Sequence, residues 1–161
     1  MTLIELANKE TDLYSIVIDI YNGKSNADNH DLTLDEIYVE YKNVHKEYAK
    51  LSDNNIEGLK RGLFIQWYSL TEPDYLTGLN ELDENAERKI ITDLKNRIDQ
   101  NEADEELLWM LNYYLTWDWV FDRFRDIMEF KTVKFKSNNK PNIKTDERGQ
   151  MGYYWKSIMV E

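Results

Sequence analysis

TLDEIYVEYKNVHKEYAKL, residues 33–51, opens with Thr33 and Glu36 in the T-x-x-E spacing of a helical capping box. A hydroxyl and a carboxyl at that spacing satisfy two backbone donors that every helix start leaves open. Leu34, Ile37, Tyr41, Val44, Tyr48 and Leu51 then follow at alternating steps of three and four. That rhythm matches the 3.6-residue repeat of an α-helix and not the two-residue repeat of a strand. A stripe this narrow needs a partner helix to cover it. The segment therefore points to a mainly α fold, and its neighbours are read for the partners.

SDNN at 52–55 ends this helix and starts the next, over about 56–71, where Leu59, Leu63, Trp67 and Leu70 face one way. Pro73 stops that helix, because the residue before a proline avoids the helical conformation. A further helix is expected over about 84–100, with Ile90, Ile91, Leu94 and Ile98 on its buried side, and another over about 105–128, with Asp104 as its cap. Upstream, Leu3, Leu6, Leu13, Ile16, Val17 and Ile20 predict a helix over 2–21, although Ile16, Ile18 and Ile20 also fit a strand. The sum is a single domain, 1–161, built as a bundle of about five helices. Its middle reads as two consecutive α-hairpins offset by about 45 residues, with HEAT-like stacking as the variant.

WMLNYYLTWDWVFDRF, 109–124, holds seven aromatic residues in sixteen positions. Leu108, Leu111, Leu115 and Trp119 step along one side, and Trp109, Tyr113, Trp117, Phe121 and Phe124 along another. Apolar residues all round are expected of a central helix packed on several sides, with Tyr114 and Trp117 at the rim. After residue 130 the pattern changes. FKTVKFK alternates, and GYYWKSIMVE restores apolar residues after a polar stretch. A small irregular or β-hairpin element is expected from 130–136 and 152–160, with a C-terminal helix as the competing reading. Residues 131–149 carry six Lys or Arg against two acids, so a mobile basic loop over about 137–150 is expected in water, with 151–161 docking back.

Composition narrows the function. Hydrophobic residues make up 42% and charged residues 32%, too apolar for a disordered chain and too charged for a membrane one. No run approaches the ~18 apolar residues of a membrane span, and the N-terminus lacks a signal-peptide pattern. The chain holds no cysteine, which removes disulfides, thiolate metal sites and a cysteine nucleophile. A cytoplasmic protein is the expectation. The net charge of −11 opposes phosphate contacts, so direct nucleic-acid binding is not expected.

Catalytic patterns are missing. His30 and His45 belong to no metal-binding spacing, and no G-x-S-x-G or phosphate-cradling glycine motif occurs. No catalytic residue, metal ligand or cofactor is assigned. One carboxylate row stands out: Asp118, Asp122 and Asp126 at i, i+4 and i+8, one turn past Tyr114. On one helix face, beside Trp67 or Tyr68, they would make a carboxylate-based, metal-dependent enzyme the alternative function.

The acidity is concentrated. Residues 71–106 carry twelve Asp or Glu against four Lys or Arg, a local net of −8. A solvated helix face looks the same, but such a field also attracts a basic surface. Glu72 and Asp74 bracket Pro73, with Tyr75 beside them, and Glu72 is expected to be held by Arg61 or Arg123. The candidate partner-binding residues are Glu72, Asp74, Tyr75, Glu84, Glu87, Tyr114, Trp117, Asp118 and Asp122. The expected function is a non-catalytic interaction domain: a stoichiometric inhibitor, immunity- or antitoxin-like, of a basic toxin or nuclease. A phage-encoded inhibitor of a host nuclease and a self-assembling scaffold are the variants.

Overall fold

Five of the helices start on a side-chain cap, among them the expected Thr33 and Asp104. In the computed structural model, which describes residues 1–24, 32–130 and 140–159, α1 (Leu3–Tyr21) begins on Thr2, which accepts from the Glu5 amide while Glu5 reaches back to the Thr2 amide. α2 (Leu34–Leu51) begins on Thr33, which accepts from the Glu36 amide. Asn55 caps α3 (Ile56–Thr71) by accepting from the amides of Glu57 and Gly58. Pro73 then turns the chain into the four-residue α4 (Asp74–Thr77), closed by Gly78 at φ +79. Asp83 caps α5 (Glu84–Asp99), and Asp104 caps α6 (Glu105–Tyr114). The last element is α7 (Gly149–Met159). Among the described residues there is no strand, so Ile16, Ile18 and Ile20 lie on a helix.

The central helix is α3, not the aromatic stretch. Every residue from Gly58 to Trp67 is buried. A Cβ on Gly62 would meet the Ile90 side chain at 2.4 Å, which is how closely α5 lies on α3. α2 packs against α1, α3 and α5, while α7 packs against α1 and α3. The bundle is therefore helical as expected, but α5 lies on α2 and α3 instead of making a close second hairpin with α6.

The helix expected over 105–128 stops at Tyr114. The Thr116 hydroxyl donates to the Tyr113 carbonyl, and amides from Thr116 to Ile127 repeatedly bond the carbonyl three residues back. That tighter 3₁₀-type winding repeats every three residues. It suits Phe121, Phe124, Ile127 and Phe130, which recur at that spacing; Phe121, Phe124 and Phe130 are buried. A short 3₁₀ turn at Asp122–Phe124 is part of it.

The C-terminal end differs from the expected hairpin as well. Residues 149–159 are helical because Met151 and Trp155, four apart, both enter the core. Of the other expected strand, 130–136, all but Phe130 lies outside the described residues, as does the 137–139 part of the basic loop. From 140 onward that loop is anchored: Ile143 is buried, and the Arg148 guanidinium meets Glu57 and Glu106, each at 2.5 Å.

Two kinds of contact join the helices. The first is aromatic. Trp67 stacks on Tyr114 with ring centroids 4.8 Å apart, and meets Trp117 and Tyr154 edge-on at 5.1 and 5.2 Å. Rings from α3, α6 and α7 thus form one cluster, each pair adding about 0.5–1.5 kcal/mol beyond its buried area.

The second is polar and fully enclosed. Glu10 on α1 is buried, and its carboxylate accepts from the hydroxyls of Tyr41 at 2.8 Å and Tyr48 at 2.5 Å. The Gln150 amide donates to it from α7 at 3.4 Å, and the Gln150 side chain donates to the Tyr41 hydroxyl and the Thr77 carbonyl. Burial raises the Glu10 pKa, with these hydrogen bonds opposing it. Gly149 lies directly against the carboxylate. Its φ is +62, and a Cβ there would sit 2.1 Å from a Glu10 oxygen. Beside them Arg61 pairs with Glu57 at 2.8 Å and donates to the carbonyls of Leu3 and Glu147.

His45 is buried, with Nε2 3.2 Å from the Gln66 side-chain oxygen. Burial pushes its pKa down to about 4.

Gly149→Ala is expected to cost about 2–4 kcal/mol in urea unfolding, combining a strained backbone with a clash in a filled site. A cost below about 0.5 kcal/mol would mean that Glu10 is not seated against Gly149. A pH series tests His45. Below its ordinary value of 6.5 the unfolded chain takes up a proton that the native state refuses until about pH 4. Stability should therefore fall with acidification across that window, by on the order of 3 kcal/mol in total. In His45→Leu the slope there should flatten by one proton's worth. Equal slopes for the two proteins would refute the assignment.

Candidate functional site

The acidic residues singled out in the sequence come together where α3 ends and α5 begins. Pro73 forces a break after Glu72, so the chain doubles through α4 before Asp83 caps α5. Leu79 is buried and anchors the connection. Glu84 and Glu87 occupy the first turn of α5, where the helix dipole favours negative charge. Together with Asp74 and Glu81 they line a cleft of about 460 Å³, whose other walls include Ser69, Leu70 and Leu82.

Arg123 is the cation on this cleft. Its guanidinium pairs with Glu87, which is only 2% exposed. Burying a carboxylate is costly unless it is paired, and Arg123 is the cation that Glu87 is paired with here. Asp74 also acts on its surroundings. Burial, followed by the charge of Asp74, pushes the Tyr38 hydroxyl pKa up to about 12.

Of the nine candidate partner residues, Asp74, Glu84 and Glu87 share this cleft. Glu72 and Tyr75 are exposed on the adjoining side of α4. Neither arginine expected to hold Glu72 does so: Arg61 pairs with Glu57 and Arg123 with Glu87. The remaining four are elsewhere. Tyr114 is completely buried in the ring cluster and cannot meet a partner. Trp117 is half-buried edge-on to Trp67, Asp118 is exposed and Asp122 is half-buried. Trp119, expected inside, is half exposed instead. Ending the helix at Tyr114 turned these side chains out of their predicted rows.

The same break removes the carboxylate stripe. Asp118, Asp122 and Asp126 do not lie on one helix face, and Asp126 pairs with Arg88 from α5. Trp67, proposed as a wall of that pocket, is packed among rings. Among the described residues no group of three or more His, Asp or Glu is placed to hold a metal ion. No described helix is long and apolar enough to cross a membrane.

Sequence reasoning missed the buried charges. Lys60, Arg61 and Arg148 are all less than a tenth exposed, and Lys60 bridges Asp104 and Glu106 at 2.7 and 2.9 Å. Glu57 is half-buried, which would raise its pKa, yet Arg148 and Arg61 together hold it below the usual value. One signal existed: Glu10 falls in register with Leu6, Leu13 and Val17, on the apolar face of α1.

Comparison with family models, with curated proteins and with solved structures finds no match.

Arg123→Ala should destabilise the protein by about 1–2 kcal/mol, because Glu87 is left buried without a counter-charge while Arg123 itself is half exposed and screened. Adding Glu87→Gln should restore most of that loss in chemical unfolding. Additive losses in the double variant would show that the two side chains are not coupled.

Proposed function

We propose that this protein is a non-catalytic interaction domain that captures a basic protein partner, in the manner of an immunity- or antitoxin-like neutraliser. The observation that carries this reading is the gathering of Asp74, Glu81, Glu84 and Glu87 around one open cleft with Arg123 as its cation. Capping and dipole effects account for Asp83 and for the first turn of α5. They do not account for Asp74 and Glu81 facing the same space.

Such a face works in two steps. Its field speeds encounter with a positive surface, and the side chains on the cleft then fix the register of docking. Neutralisation follows from occlusion: a basic toxin or nuclease whose cationic surface is covered no longer reaches its own acidic substrate. A host nuclease held by a phage-encoded inhibitor is the same mechanism in another setting.

The test begins with affinity capture from the source cells and identification of the retained protein. Its association rate should fall roughly tenfold or more between about 50 and about 300 mM salt. The pair Asp74→Lys and Glu84→Lys should abolish capture while leaving the helical circular dichroism unchanged. An association rate indifferent to salt, or full binding by the charge-reversed protein, would rule the acidic face out.

A further inference from the structure

Two helices end at one place. α1 finishes at Tyr21 and α3 at Thr71, and both ends border a groove of about 380 Å³. Tyr14, Ile18, Tyr21, Tyr68, Glu72 and Leu76 line it. A helix C-terminus carries about half a negative charge, which a lysine or arginine in the last turn commonly offsets. Neither α1 nor α3 has a basic residue in its last turn. Glu72, the residue that ends α3, adds a full negative charge to the same spot. Among the described residues, no lysine or arginine lines the groove.

The walls specify the kind of cation. One carboxylate among tyrosine rings and aliphatic groups is a poor oxygen cage for a bare metal ion. Tyrosine faces instead attract organic cations. Of the lining rings, Tyr21 is open and Tyr14 and Tyr68 are half-buried. Tyr21 is 63% exposed and stacks on Tyr75, itself 51% exposed, at 6.4 Å; Tyr14 packs 5.6 Å from the exposed Tyr153. A flat guanidinium stacks on such faces and offers paired N–H donors to a carboxylate. A quaternary ammonium has no N–H to give Glu72, and a lysine ammonium is compact and strongly hydrated.

We propose that this groove receives an arginine side chain of the basic partner, its guanidinium lying against the tyrosine faces and paired with Glu72. The proposal rests on the reading of the protein as a binder of a basic partner, and it adds the anchor. α4 is the wall shared by the two recesses: Asp74 faces the acidic cleft, while Leu76 and Thr77 face the groove. A single arginine in the groove would therefore register the rest of the partner's positive surface over the cleft. Tyr68 is suited to this role, since burial and then the charge of Glu72 push its pKa up to about 12, so the phenol stays neutral beside the carboxylate.

The experiment is an NMR titration of the labelled protein with N-acetyl-argininamide, with N-acetyl-lysinamide and choline as comparators. The ring resonances of Tyr14, Tyr21 and Tyr68 should shift together, with an affinity on the order of millimolar for so small a ligand. The lysine derivative should bind about threefold or more weakly. Glu72→Gln should weaken arginine binding roughly fivefold or more and Tyr21→Ala about threefold, both being exposed positions that leave the core intact. Glu84→Gln, in the neighbouring cleft, should leave it unchanged. Absence of shifts at about 50 mM, an equal loss in Glu84→Gln, or tighter binding of choline would overturn the assignment. Arginine binding without capture of any basic protein would reject the neutraliser reading while keeping a guanidinium site. Capture with no arginine binding would do the reverse.

Discussion

A carboxylate sealed from water must be given hydrogen bonds on the spot, and Glu10 on α1 obtains them from two other helices, α2 and α7. Tyr41 and Tyr48 reach it from one side of the bundle, and the start of α7 from the other. Burying the group without those donors would cost several kcal/mol, so α1, α2 and α7 have little freedom to slide past one another. Helix packing alone tolerates small shifts in register. A buried acid with fixed partners does not. The demand extends outward: α7 can approach only because its first residue is glycine, and the Gln150 side chain then ties the same site to the carbonyl of Thr77 on α4.

That last tie connects core to surface. α4 has only four residues and would not hold itself in water. It is positioned by Gln150 from within, by Pro73 before it and by Gly78 after it. Both recesses of the acidic side use α4 as a wall. A wall of both recesses is therefore held by an interior contact, which would lower the ordering cost of binding the proposed partner.

Local signals were readable in the sequence and distant pairings were not. The caps at Thr33, Asn55 and Asp104 are short-range rules, and each begins a helix in the structure. The stripe from Leu34 to Leu51 was equally plain because α2 is covered on one side only. The aromatic stretch misled for a physical reason. Steps of three and of four both look helical, and Phe121, Phe124, Ile127 and Phe130 obey the tighter three-residue winding. Once α6 ended early, Tyr114 stayed inside while Asp118 and Trp119 turned out. Glu57 and Arg61 stand four apart, a helical pair that spacing can show, but the partners of Arg148 lie 91 and 42 residues away and nothing in spacing identifies them. Asp74, Glu84 and Glu87 were legible as a charge run, but their gathering depends on the turn that Pro73 and Gly78 impose.

The bond from Gln150 to Glu10 spans 140 residues. Its meaning is clearest during synthesis. While a ribosome is still making the second half of the chain, α1, α2 and α3 are already available to pack, yet one wall of the Glu10 site and the rings of Tyr154 and Trp155 are missing. The nascent protein thus carries an unsatisfied acid and an open aromatic face until the final helix emerges. Closing so long a loop comes late and is slow to reward. α7 completes this core, and a chain released without it would be an exposed, association-prone intermediate and not a smaller version of the same protein.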